Sequence, residues 1–222
     1  MMLGACFAAV LLAVGGLGFG IRSQWKLKEK TELLHSGIIC MEQENYEAAI
    51  RYFEKELDTA GSRIGSLEEE VLLYRAEAEF LLEDYQAALH TYQILLNKDK
   101  KNELYQKGTA LALMETGSLE EALAMHVIDA QVYNRMAKVQ IEQGAYDEAL
   151  NSIAQGLAAL DSEDSDVLSV RRDLAYNEAV VYEYKSDYQK ALKLFEAYVQ
   201  MYGSDENAER EIVFLKTRQG NY

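Results

Sequence analysis

A chain of 222 residues with 49% apolar and 27% charged side chains can bury a core and is not a disordered polymer. Its formal charge of −15 argues against nucleic acid as a partner, because phosphate binding draws on clustered Lys and Arg. Proline is absent, which favours helices joined by short turns, and Cys6 and Cys40 are the only cysteines, so no disulfide framework is implied.

The first predicted element is residues 1–21, an uncharged stretch long enough to cross a hydrocarbon core as a helix at about 1.5 Å per residue. Arg22, Trp25, Lys26, Lys28 and Lys30 follow it, an interfacial aromatic among cations that can snorkel to headgroups. Residues 1–21 therefore read as a transmembrane anchor and 22–30 as its basic juxtamembrane flank. The positive-inside bias puts the rest of the chain on the cytoplasmic side of a single-pass topology. A cleaved secretory signal would place basic residues before the apolar run, whereas here they come after it. Leu3-Gly4-Ala5-Cys6 suggests a lipoprotein signal, but its apolar stretch follows the cysteine. Gly16 and Gly20 form a G-x-x-x-G spacing suited to helix pairing.

Residues 31–203 repeat themselves. With Tyr46, Tyr85, Leu119, Tyr146 and Tyr188 as anchors, an alanine stands three residues after each: Ala49, Ala88, Ala122, Ala149 and Ala191. A small residue stands nine before (Gly37, Ala76, Ala110, Ala137, Ala179) and a bulky one seven after (Phe53, Tyr92, His126, Ile153, Phe195). Small side chains let two helices cross closely, and the bulky residue fills the neighbouring groove. Asn45, Asp84, Ser118 and Asp187 precede the anchors as candidate N-caps, and Ser118 with Glu121 makes a capping-box pattern.

These offsets resemble the tetratricopeptide repeat family, although the usual repeat-ending proline and helix-opening tryptophan are missing. The resemblance implies an all-α, right-handed α-solenoid of about five helical hairpins. The anchor spacings are 39, 34, 27 and 42 residues, against a family period of 34. The two excesses fall in "DTAGSRIGSLEEE" and "DSEDSDVLSVRRD", which read as longer polar connections. The seven-residue deficit falls between Leu119 and Gln143. Seven residues are nearly two helical turns, so the stretch is either one long helix or a stunted helix followed by a new one capped by Asp129. The sequence favours a break at Ile128–Asp129, with Tyr133 and Met136 buried by the fourth hairpin. Residues 204–222 read as a capping helix and tail, with Asp205 as N-cap and Lys216 and Arg218 near the C-terminus.

No catalytic constellation emerges. His35, His90 and His126 lie in different repeats without ligand spacing, so no metal site is expected. Ser23 and Lys26 match a bare S-x-x-K without its companion motifs. Glu68, Glu69 and Glu70 read as a solvated face. Neither cofactor nor small-molecule substrate is expected.

What remains is a binding surface. The resemblance implies that residues twelve, eight and five before each anchor face the concave side. The candidates for partner binding are Met41, Phe80, Lys107, Leu111, Met114, Asn134, Lys138 and Tyr176, an apolar floor joined by a cationic patch at Lys107, Asn134 and Lys138. Leu34, Ile38 and Leu73 share that register and can equally be ordinary helix packing. Leu34 and Ile38 stand where clamps for chaperone tails use Lys and Asn, which leaves generic binding of a protein or peptide, with an acidic group or a C-terminal carboxylate suited to the lysines. The expected function is a non-enzymatic, membrane-tethered interaction scaffold. The alternatives are a secreted or lipid-anchored assembly factor and a regulatory subunit of an enzyme complex.

Overall fold

The computed structural model describes residues 24–60, 64–160 and 165–219, and the predicted anchor, residues 1–21, lies outside them. No described helix is long and apolar enough to cross a membrane. The fold is all-α, with eleven helices and no strand among the described residues. Contacts divide the chain into two units, Met1–Lys100 and Lys101–Tyr222. The first unit holds α1 (24–42), α2 (Tyr46–Ala60), α3 (Ser66–Leu81) and α4 (Tyr85–Lys98). The second holds α5 (Glu103–Glu115), α6 (Leu119–Ala124), α7 (Ala130–Glu142), α8 (Tyr146–Ala158), α9 (Ser165–Tyr184), α10 (Tyr188–Tyr202) and α11 (Glu206–Gln219). Residues 24–30 of the basic flank are helical and continue without a break into the first repeat helix.

All five hairpins turn in the same way. The residue two before each anchor lies in the left-handed region: Glu44 at φ 57°, Glu83 at 64°, Gly117 at 83°, Gly144 at 76° and Ser186 at 62°. At each turn the next amide reaches back five residues and this amide three, as in Asn45 N to Cys40 O at 2.9 Å and Glu44 N to Met41 O at 3.0 Å. That pair of bonds is the Schellman motif, which satisfies carbonyls left over at a helix end. Left-handed backbone costs an L-residue about 1 kcal/mol that glycine avoids. Glu44→Gly, Glu83→Gly and Ser186→Gly are each expected to stabilise the fold by about 0.5–1 kcal/mol, read as a higher denaturation midpoint.

The caps follow from the same geometry. Asn45, Asp84 and Asp187 accept from the amides of Ala48, Ala87 and Lys190 at 3.2, 3.2 and 3.1 Å. Ser118, expected to cap and to complete a capping box, makes no side-chain cap bond at φ −95°, ψ 55°. Asp84 and Asp187 cap from nearly the same backbone, with ψ of 68° and 67°. Their carboxylate oxygens sit one bond further out than a serine hydroxyl and so reach the third amide.

Burial bears out the repeat offsets. Ala49, Ala88, Ala149 and Ala191 are 0% exposed and Ala122 is 1%, while Ala76, Ala110, Ala137 and Ala179 are also 0%. Gly37 is buried against Phe53, and a β-carbon added there would lie 2.2 Å from the Phe53 ring. Phe53, Tyr92, Ile153 and Phe195 are buried as groove fillers. In the first unit Leu34, Ala49, Phe53, Val71 and Ala78 form one core, with Ile38 and Met41 packed against it. Ala137, Ile153 and Leu174 centre one core of the second unit, and Ala179, Phe195 and Leu215 centre another.

The third repeat departs from the pattern. Its second helix, α6, has six residues, and Asp129 caps α7 by accepting from Gln131 N at 2.8 Å and Val132 N at 3.0 Å. The break therefore falls where the sequence favoured it, and Met136 is buried while Tyr133 is half-buried. So short a helix holds only through tertiary contact, supplied by Leu119 and Ala122, both buried. His126 does not fill a groove as expected: it lies past the end of α6, exposed, at φ 53°, and Val127 is the buried residue there. The expected long connections also shrink. α3 starts at Ser66 and α9 at Ser165, so the extra length lies mostly in longer helices, the 20 residues of α9 above all.

Candidate protein-binding face

The eight candidate residues are divided between the units. Met41 and Phe80 belong to the first, where Met41 is half-buried against the core and Phe80 stands edge-on to Tyr85, ring centroids 5.1 Å apart. The other six lie on α5, α7 and α9 of the second unit, in which α7 packs against both α5 and α9. Met114, expected in an apolar floor, is 3% exposed and so belongs to the interior, while Leu111 is half-buried.

Each lysine of the expected cationic patch holds a carboxylate. Lys107 Nζ lies 3.1 Å from Asp129 Oδ2, and Lys138 Nζ lies 3.0 Å from Asp173 Oδ2. Asn134 is buried; it donates to Asp173 Oδ2 at 3.3 Å and accepts from Asn177 Nδ2 at 2.8 Å. Asp173 thus ties α7 to α9 through one oxygen. Tyr176 packs edge-on against Phe195 and Tyr198, at centroid distances of 5.4 and 5.5 Å.

Lys138, Asp173 and Tyr176 border a groove of about 390 Å³, whose other lining residues are Ser169, Arg172, Asn177, Tyr198, Asp205 and Asn207. On its far side Arg172 donates to Tyr198 Oη at 2.7 Å and to Asp205 Oδ2 at 2.6 Å. Asp205 also caps α11, its Oδ1 accepting from Asn207 N and Ala208 N, each at 3.1 Å. The Ala208 amide and then Arg172 hold the Asp205 carboxyl below the usual aspartate range, whereas burial pushes the Tyr198 hydroxyl up. The groove therefore offers alternating charge, Lys138, Asp173, Arg172 and Asp205, around aromatic surface.

Of the eight candidate residues Lys138 and Tyr176 line this groove, and Asp205, expected only as a cap, joins them. Arg172 and Asp173 were hidden inside the stretch read as a connection. A second cleft, about 780 Å³, lies beside the short α6 and is lined in part by Leu104, Lys107, His126, Ile128 and Asp129. Among the described residues no group of three or more His, Cys, Asp or Glu is placed to hold a metal ion.

The chain belongs to the tetratricopeptide repeat family, whose model matches residues 37–103, 75–125 and 134–206. It is similar in fold to a tetratricopeptide repeat protein from Parabacteroides merdae, with 14% identity and TM-score 0.65 over 87% of this chain and 74% of that one. The apo form of the quorum sensor NprR from B. thuringiensis gives 18% identity and TM-score 0.65, over 89% of this chain and 60% of NprR. NprR in complex with its cognate peptide NprX gives 18% identity and TM-score 0.56, over 89% and 62%. No curated protein matches the sequence.

Proposed function

We propose that this protein is a non-enzymatic interaction scaffold that captures a peptide or protein segment on the first-helix face of its second unit. The observation that carries the reading is the groove beside α7 and α9, where the Lys138 and Asp173 side chains stay 40% and 50% exposed although paired. An exposed pair exchanges partners at small cost. One carboxylate of the bound segment replaces Asp173 on Lys138 in this groove, where Tyr176 supplies apolar contact, and a second replaces Asp129 on Lys107 in the cleft beside α6. NprR, a neighbour in fold, is known in complex with a peptide.

Residues 1–21 are proposed to tether the repeats to a membrane, with the cytoplasmic side favoured by Arg22, Lys26 and Lys28; Lys30, expected in the same flank, is instead buried against Glu56 and Glu68. Deleting residues 1–24 should move the protein from the membrane to the soluble fraction with its helicity kept. A mature N-terminus found near Gly20 would contradict the anchor and favour an outer-face assembly factor.

The double variant Lys107→Ala with Lys138→Ala tests the site. Capture of the segment recovered by pull-down and mass spectrometry should weaken by about tenfold or more, because the acidic segment then meets the uncompensated charges of Asp129 and Asp173. Helicity and melting should hold. Equal recovery by the variant would place binding on another face.

A further inference from the structure

The short α6 leaves open a place that the first repeat of the same chain shows filled. There the last two turns of α2 bring Phe53 and Leu57 into one core with Leu34 of α1 and Leu67 and Val71 of α3. Counted from the anchors, the corresponding positions two repeats later are His126 for Phe53, Lys107 for Leu34 and Ile128 for Leu67. Phe53 is 0% exposed, Leu34 is 6% exposed and Leu67 is half-buried, whereas His126 is exposed and Ile128 is 81% exposed. The cause is local: α6 ends at Ala124, before the position of the groove filler is reached. His126, Lys107 and Ile128 instead line the cleft of about 780 Å³. Two turns of helix, about 10 Å long and about 10 Å across, fill about 800 Å³. The cleft thus has the size of the two turns that the seven-residue deficit removes.

We propose that a helical segment of a partner protein lies in this cleft and completes the third repeat in trans, as the last two turns of α2 complete the first in cis. The first repeat states the chemistry of that segment: two bulky apolar side chains four residues apart, as Phe53 and Leu57 are, and a carboxylate one turn after the first of them, as Glu56 is. Ile128 and Leu104, 81% and 51% exposed, supply the apolar contact. Lys107, standing where the first repeat has Leu34, takes the carboxylate, a contact that rests on the reading of Lys107 under the proposed function. Two turns are marginal as a free helix, so the segment folds as it docks.

The test uses a fluorescein-labelled synthetic peptide with the 15-residue sequence of α2, Tyr46–Ala60, added to the purified full chain and followed by fluorescence anisotropy. Binding should saturate. Ile128→Asp in the protein should weaken it about tenfold or more, because the apolar contact is replaced by a charge that docking would desolvate. Circular dichroism of this variant should be unchanged, since the side chain is exposed. In the peptide, Phe53→Ala with Leu57→Ala should weaken binding to a similar degree, and Glu54→Pro, which breaks the helix, should abolish it. Ile128→Asp leaves Lys107 and Lys138 in place, so the pull-down with the lysine double variant tests the proposed function separately. No saturable binding, binding indifferent to Ile128→Asp, or a proline peptide that binds as well as the parent would overturn the proposal.

Discussion

Gly37→Ala should destabilise the first unit by about 3 kcal/mol or more, the upper end of the usual cost of overpacking. The added β-carbon would lie 2.2 Å from Cε1 and 2.7 Å from Cδ1 and Cζ of Phe53, a ring that is 0% exposed. Phe53 is also stacked on Tyr74, with ring centroids 6.1 Å apart, and packed among Leu34, Ala49 and Val71, so it has little room to yield. Urea denaturation reads the loss directly. The double variant Gly37→Ala with Phe53→Leu should cost less than the sum of the two single changes, since the shorter side chain vacates the space the methyl needs. Simple additivity would show that the clash is relieved by backbone movement. The other four repeats carry alanine at the equivalent position, so the first hairpin alone needs glycine there.

Lys30→Met should cost about 3 kcal/mol near pH 8 and much less near pH 4. Lys30 of α1 reaches between two carboxylates. Its Nζ lies 3.4 Å from Glu56 Oε1 and is hydrogen-bonded to Glu68 Oε1, and the three side chains are 12%, 0% and 12% exposed. Burial opposes the Lys30 charge, but the Glu68 bond and the Glu56 charge outweigh it and raise its pKa above the ordinary value. The stabilisation from Lys30 is therefore fully present below the ordinary lysine value and is lost as pH rises through the raised one. Burial pushes Glu56 up, and the bond from Lys30 brings Glu68 down. Without the ammonium, Glu56 and Glu68 can avoid a buried like-charge pair only by taking up protons, so the penalty grows as pH rises through the carboxylate range. Lys30→Met with Glu56→Met should regain much of the loss, because both buried charges of that pair are gone. Lys185→Met is the control. Lys185 pairs with Asp147, whose side chain is 84% exposed, and its removal should cost under about 1 kcal/mol at either pH.

The difference between these two sites and the repeat offsets explains what could be read in advance. Ala49, Ala88 and their equivalents were legible because each is fixed by a crossing within its own hairpin, at an offset that recurs down the chain. The break before Asp129 was legible for the same reason: a seven-residue deficit can be absorbed only at a helix end, and Asp129 offers the cap. Lys30, Glu56 and Glu68 lie on three successive helices and outside those offsets, so no periodicity flags them. Arg172, Tyr198 and Asp205 likewise meet from α9, α10 and the cap of α11. His126 shows the opposite failure. It sits at the right offset, but α6 ends two residues earlier, and the offset has meaning only while the helix continues. Met114 keeps its register yet turns out buried, because neighbouring helices cover a position that repeat spacing alone leaves open.

The most direct measurement is site-specific photo-crosslinking on the full chain in living cells. A photoreactive residue at Ser169, exposed and lining the groove, should yield a cross-linked partner, and one at Leu157, 37% exposed on α8, should not. A partner captured from position 157 and absent from position 169 would contradict the assignment of binding to the first-helix face.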